Sequence, residues 1–238
     1  MKIALIGYGR MGHEIEAIAL KRGHEIKLIV DKDNTGDLNG NNLKGIDVAI
    51  EFSLPSTALD NVSVCLNNKV PVVSGTTGWI DDYEKAVLLC RNNNSAFLHS
   101  SNFSIGVNLL FRLNQELARH ISKYDEYKVL IEEIHHTKKL DAPSGTAISL
   151  AKGIISGHNN YTKWHNGSGE EKNSIPIVAF REGDVPGTHI ITWDSEIDRI
   201  SLKHEAKNRK GLALGAVVAA EYISSRSGVF TMNDVLGF

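Results

Sequence analysis

The chain has 238 residues, enough for one large domain or two small ones, each able to bury a core. Apolar residues at 42% and charged residues at 23% describe an ordinary globule, and a net charge of -2 argues against nucleic acid or an anionic membrane as partner. The two cysteines, Cys65 and Cys90, fall in apolar helix-like runs, so a disulfide framework is not expected and a reducing cytoplasm is the simplest setting. No apolar run has the length of a membrane span. With a strand predicted from Lys2 onward, no signal peptide is expected either.

Lys2 to Ile6 reads as a short buried strand, followed at once by Gly7-Tyr8-Gly9-Arg10-Met11-Gly12. A helix is predicted over His13 to Arg22, then a strand from Glu25 to Val30 that ends at Asp31. Strand, glycine turn, helix, strand and acid make a dinucleotide-binding fingerprint. The three glycines serve a tight turn, close backbone approach to a pyrophosphate, and helix–strand packing. Asp31 would accept hydrogen bonds from the adenosine ribose, which favours NAD; the neighbouring Lys32 could pair with the 2′-phosphate of NADP.

The Asn- and Gly-rich segment from Asp33 to Lys44 reads as a short, flexible loop. A strand follows over Ile46 to Ser53, a helix opens at Leu54-Pro55-Ser56, and Val70 to Ser74 delivers Gly75-Thr76-Thr77-Gly78. Ser95 to His99 is a further strand, leading into Ser100-Ser101-Asn102-Phe103-Ser104. In an open parallel sheet these loops emerge at the carboxyl edge, where ligands bind.

Composition changes near residue 104. Ile105, Leu109, Leu113, Leu117 and Ile121 predict a helix with one core-facing apolar stripe. Tyr127 to Ile134 reads as a strand. After it, residues 135–139 hold two imidazoles and two ammonium groups, and Ser144-Gly145-Thr146 opens a helix carrying Ala147, Ile148, Leu150, Ala151 and Ile154. His135 and His136 point to opposite faces unless the strand has already ended. A helix mouth beside clustered cations suits a substrate bearing carboxylates. Metal ligation is not expected, because the adjacent lysines repel a cation.

Glu133-x-His135-x-x-x-Lys139-x-Asp141-x-Pro143-Ser144-Gly145-Thr146-Ala147 resembles the signature of the bacterial 4-hydroxy-tetrahydrodipicolinate reductase (dihydrodipicolinate reductase) family. The resemblance implies reduction of 4-hydroxy-tetrahydrodipicolinate, with loss of water, to tetrahydrodipicolinate in lysine and diaminopimelate biosynthesis. It implies NADH or NADPH as cofactor, since an acid followed by a basic residue in the family often accompanies use of both. His135 would be the proton donor and Lys139 a second donor or a clamp on a negative oxygen. His136, with Ser144, Gly145 and Thr146 at the helix mouth, would grip a substrate carboxylate. Gly75, Thr76 and Thr77, with Ser100, Ser101, Asn102 and Phe103, would line the nicotinamide and its ribose. Two departures stand out: Glu51-Phe52-Ser53 replaces an Asp-Phe-Ser/Thr pattern, and Ser100-Ser101 replaces a more usual Ala-Pro. Arg181 and Arg209 are further carboxylate candidates, each more often a solvated arginine.

Gly157 to Asn173 reads as a polar surface excursion. Strands are predicted over Ile175 to Phe180, Thr188 to Trp193 and Arg199 to Lys203, and a small-residue helix from about Asn208 carries Leu212, Ala213, Ala216, Val217 and Ala220. The expected fold is α/β: a Rossmann-like dinucleotide-binding domain over 1–104 and 208–238, with an inserted α+β substrate and oligomerisation domain over 105–207. Hinges near 104 and 207 would let a cleft close. The open mixed sheet of the insert needs cover, and the resemblance implies a homotetramer formed through it. Two other readings remain: a different two-domain NAD(P)-dependent amino-acid-pathway dehydrogenase, which would lack the run from His135 to Ala147, or a non-catalytic dinucleotide sensor.

Overall fold

The structure, a computed structural model, describes every residue except Arg209. That residue, a carboxylate candidate above, lies outside the described residues. The chain divides into two compact units, Met1–Ile105 with Lys210–Phe238, and Gly106–Arg209. Among the described residues no helix is long and apolar enough to cross a membrane.

The first unit is a six-stranded parallel sheet between helices. Its strands are β1 (Lys2–Ile6), β2 (Glu25–Val30), β3 (Val48–Glu51), β4 (Val72–Ser74), β5 (Ala96–His99) and β11 (Gly228–Phe230), ordered β11-β5-β4-β3-β1-β2. The strands read as unbroken apolar runs because both faces are covered. Ile3, Leu5 and Ile50 pack with helices α1 (Arg10–Lys21) and α6 (Lys210–Ile223). Ala4, Ile6 and Ala49, on the opposite face, pack with α2 (Pro55–Asn67) and α3 (Tyr83–Asn92). The small residues of α6 let it approach closely: a Cβ at Gly215 would lie 1.7 Å from the Phe103 carbonyl oxygen. The Asn-rich loop is not a loose excursion. Asn34 donates to the Ile29 carbonyl (2.9 Å), and the Asn39 side chain accepts from the Asn41 and Asn42 N–H groups (3.0 and 3.1 Å). The strand β11 and the short helix α7 (Met232–Leu236) went unpredicted.

The second unit is a five-stranded mixed sheet, ordered β10-β9-β6-β8-β7, backed by α4 (Ile105–Ile121) and α5 (Gly145–Gly157). Strand β6 (Lys128–His135) runs parallel to β8 (Ser174–Arg181) and antiparallel to β9 (Thr188–Asp194). Strand β10 (Arg199–Glu205) is antiparallel to β9. Val129, Ile131, Ile175, Ile177, Ile191 and Trp193 meet the helices.

Two expectations give way here, one of them in part. The predicted excursion contains an edge strand, β7 (Lys163–Asn166), parallel to β8. Its residues are half-buried or exposed, so no apolar alternation announces it. The apolar stripe of α4 holds only in part: Ile121 is buried and Leu117 packs against the core, but the middle of the stripe does not. Leu109 and Leu113 are exposed, whereas Val107, Leu110, Asn114, Ala118 and Ile121 are buried. A strict four-residue spacing advances about 40° per step on a 3.6-residue helix, so such a stripe winds off the core face. Asn114, fully buried, instead donates to the Leu150 carbonyl (2.9 Å) and ties α4 to α5.

Candidate active site

In the first unit the carboxyl edge gathers the predicted nucleotide residues. Gly7 has φ +88°, and a Cβ there would strike the Phe52 carbonyl oxygen at 2.0 Å. A Cβ at Gly12 would fall 2.5 Å from the Gly7 carbonyl oxygen, so α1 sits tight on its strand turn. At Gly9, by contrast, a Cβ would meet nothing within 4 Å. The N-terminus of α1 has no side-chain cap, so its N–H groups are left for another acceptor. Arg10 is exposed and Met11 half-buried beside this turn. Asp31 closes the second strand, taking the Tyr8 N–H at 3.5 Å, while Lys32 is exposed.

The end of β4 and the loops after β3 and β4 converge on Glu51. Its carboxylate is fully buried and accepts from the Ser53 N–H (2.9 Å), the Ser53 and Ser74 hydroxyls (Ser74 at 2.6 Å) and the Thr76 hydroxyl (2.7 Å). A buried carboxylate is tolerated when its lone pairs are used this fully. Gly75 lies against the Phe52 ring, where a Cβ would come within 2.2 Å. Thr76 is therefore a locked structural residue, its carbonyl also accepting from Trp79 and His99 (2.8 and 3.0 Å). Thr77 is exposed and, with Gly78, Ile80, His99, Ser100 and Ser101, lines an open cavity of about 430 Å³. Ser100 turns its hydroxyl onto the Asn102 backbone, and the Asn102 side chain accepts the Ser104 N–H. Phe103 corrects an expectation. Its ring is 1% exposed and packs on Phe52, so it belongs to the core rather than to the lining.

In the second unit the period of two places Glu133 and His135 on the helix-covered face of β6, where both are buried. The strand ends at His135. His136 lies in the following turn, which is closed by the Thr137 and Lys139 N–H groups donating to Gly183 and His136 carbonyls (3.1 Å each). The Lys139 ammonium is held by both oxygens of exposed Asp141 (2.7 and 2.8 Å). That pairing holds the Asp141 carboxyl below its usual range. Ser144 caps α5 by accepting the Ala147 N–H (3.2 Å), leaving Gly145 exposed and Thr146 half-buried at the helix mouth.

Glu133 is the hub of this site. Its two oxygens accept the Ser144 N–H (3.0 and 3.1 Å), Oε1 takes the Arg181 guanidinium (3.2 Å), and Oε2 lies 3.7 Å from His135 Nδ1 and 3.8 Å from His189 Nε2. Arg181 also donates to the Lys139 and Asp141 carbonyls, stapling the loop. The expectation of a solvated arginine is thus overturned: a buried anion draws Arg181 inward. His189, not singled out in the sequence, reaches the Ser144 hydroxyl (3.3 Å) and sets its ring edge-on to His135, with centroids 5.1 Å apart. A usable signal existed: His189 precedes Ile191 and Trp193 by two-residue steps on the core-facing side of β9.

Burial pushes the His135 pKa down, against the pull of Glu133 in the other direction; Lys139 and Arg181 lower it further. Burial, then the nearby His135, His204 and Lys139, lower His189 to about 3. The Glu133, His135 and His189 donor atoms lie within 4.8 Å of one another, a spacing that a metal ion could bridge. The carboxylate is already engaged by Ser144 and Arg181, however, and two cationic side chains adjoin it.

A glycine turn at the edge of a parallel sheet, with an acid-and-imidazole site beside a helix mouth on a second sheet, defines a nicotinamide-dependent oxidoreductase. Comparison with known proteins narrows the class. Residues 1–103 match the family model described as "Dihydrodipicolinate reductase, N-terminus", and residues 106–236 match "Dihydrodipicolinate reductase, C-terminus". A 4-hydroxy-tetrahydrodipicolinate reductase of Christiangramia forsetii is 52% identical over 237 residues, 99% of this chain and 98% of that protein. One from Methanococcoides burtonii is 36% identical over 196 residues, 80% of this chain and 73% of that protein. Among solved structures, a dipicolinate-bound dihydrodipicolinate reductase from a Paenisporosarcina species covers 97% of each chain with a TM-score of 0.81, at 24% identity. The chain belongs to the dihydrodipicolinate reductase family, NAD(P)H-dependent oxidoreductases of lysine and diaminopimelate biosynthesis.

Proposed function

We propose that this enzyme reduces 4-hydroxy-tetrahydrodipicolinate to tetrahydrodipicolinate, with loss of water, by dividing the work between its two units. The first unit holds the cofactor. The empty space beside Gly9 and the uncapped N–H groups of α1 suit a pyrophosphate, and Asp31 suits the ribose hydroxyls. With Lys32 next to Asp31, both NADH and NADPH are accepted. When bound, the reduced nicotinamide supplies the hydride.

The second unit holds the dicarboxylate. His136, the N–H groups of Gly145 and Thr146, and the Thr146 hydroxyl take a carboxylate, and Ser144 fixes the helix mouth that presents them. Hydride arriving at ring carbon four leaves an enamine-like species, which His135 protonates. Lys139, oriented by Asp141, donates a second proton or holds a negative oxygen. The observation that carries this reading is the run from Glu133 to Ala147, in which Glu133 accepts the N–H of Ser144 at the helix mouth and lies 3.7 Å from the His135 ring, while Asp141 holds the Lys139 ammonium.

The enzyme works in the cytoplasm as a homotetramer. Support for self-association comes from the sheet face turned away from α4 and α5, where Leu130, Ile134, Val178, Phe180 and Ile190 lie on neighbouring strands and Phe180 is 46% exposed.

The test is spectrophotometric: loss of NADH and of NADPH is followed with freshly generated substrate. Lys139→Ala is expected to cut turnover by orders of magnitude while NADH affinity stays nearly intact. Equal loss of both would make Lys139 a structural residue.

A further inference from the structure

We propose that Glu133 is a positioning residue that fixes the Nδ1 side of His135, so that the transferable proton sits on Nε2. The inference rests on the reading of His135 as the proton donor. Glu133 and His135 are two residues apart on one strand face, which aims both side chains at the same space. Nδ1 of His135 is buried without a hydrogen-bond partner, and the Glu133 Oε2 lies 3.7 Å away. Glu133 cannot swing aside, because Ser144 and Arg181 hold its oxygens. On the other side of the ring, Nε2 faces Gly187: a Cβ there would come within 3.1 Å of Nε2, and the glycine leaves that space open.

The charged groups around His135 are Glu133 from β6, Lys139 and Asp141 from the following loop, and Arg181 from β8; His189 packs on it from β9. Glu133 is the only fully buried anion among them. Which nitrogen of a histidine bears the proton is set by what faces the other one. Here the imidazolium gives its Nε2 proton to substrate carbon and remains as the neutral Nδ1–H form facing Glu133. Water then restores the proton.

Imidazole ¹⁵N chemical shifts of the labelled enzyme, titrated with pH, test this. The wild type is expected to show neutral His135 as the Nδ1–H tautomer. Glu133→Gln should mix the tautomers, move the His135 limb of the kcat/KM profile to lower pH by about one unit, and cut turnover about 100-fold. NADH affinity should hold, and Glu133→Asp should recover part of the turnover. A wild-type Nε2–H tautomer overturns the proposal even if the variant fails to fold. So does an unmoved limb in Glu133→Gln. If instead His135→Gln retains turnover, it is the donor reading that fails.

Discussion

Acidification should weaken the enzyme through one buried ring. His189 is 5% exposed, and burial with its neighbours holds its pKa at about 3, against an ordinary 6.5. Folded, the ring stays neutral well below pH 5; unfolded, it binds a proton as the pH drops through about 6.5. The stability that depends on the neutral ring is complete above that value and is lost progressively as the pH falls toward 3. At pH 5 the two states differ by about 1.5 units, which at about 1.36 kcal/mol per unit is about 2 kcal/mol. Replacing His189 with Gln keeps a polar group beside the Ser144 hydroxyl and removes the titration. Urea midpoints, read from fluorescence that includes buried Trp193, should therefore show the wild type losing about 2 kcal/mol more than His189→Gln between pH 7 and pH 5. His158, whose pKa burial also lowers, is common to both proteins and cancels in the difference. Equal losses would show that the His189 ring is hydrated, contrary to its packing.

Gly187→Ala adds a methyl group 3.1 Å from His135 Nε2 at a backbone φ of +156°, so turnover should fall by about tenfold or more while NADH affinity, measured by fluorescence, holds. Glu51→Ala strands the buried Ser74 and Thr76 hydroxyls; a stability loss of about 2–5 kcal/mol in urea unfolding and weaker NADH binding are expected. Phe180→Asp places a charge on the open sheet face, and light scattering should then report a smaller assembly than the wild type.

The first unit is legible where burial is simple. Strands covered on both faces read as apolar runs, and the glycine turn from Gly7 to Gly12 is contiguous in sequence. Strand β7 escapes because an edge strand needs little apolar surface, and the α4 stripe misleads because apolar spacing alone does not reveal which turn faces the sheet. The site is legible only where it is contiguous. His135, Lys139 and the helix mouth at Ser144 fall within a dozen residues, whereas Arg181 and His189 arrive from other strands. Register brings them in: His135 pairs with Arg181 across β6 and β8, and Glu133 with His189 across β6 and β9.

A buried carboxylate organises each unit, and neither could be weighed from sequence alone. Glu51 reads as a mild departure from an aspartate, and Glu133 as one more fixed position in a signature. Their importance follows from a cost: a carboxylate inside a protein must have its lone pairs filled or it destabilises the fold. Glu51 fills them from the loops after β3 and β4, and Glu133 from the cap of α5 and the end of β8. An acid on a core-facing strand position near the carboxyl end of a parallel strand therefore forecasts convergence: several loops must send donors to it. Where loops converge on a fixed charge their backbones become rigid, and a rigid loop edge is what a reaction centre requires.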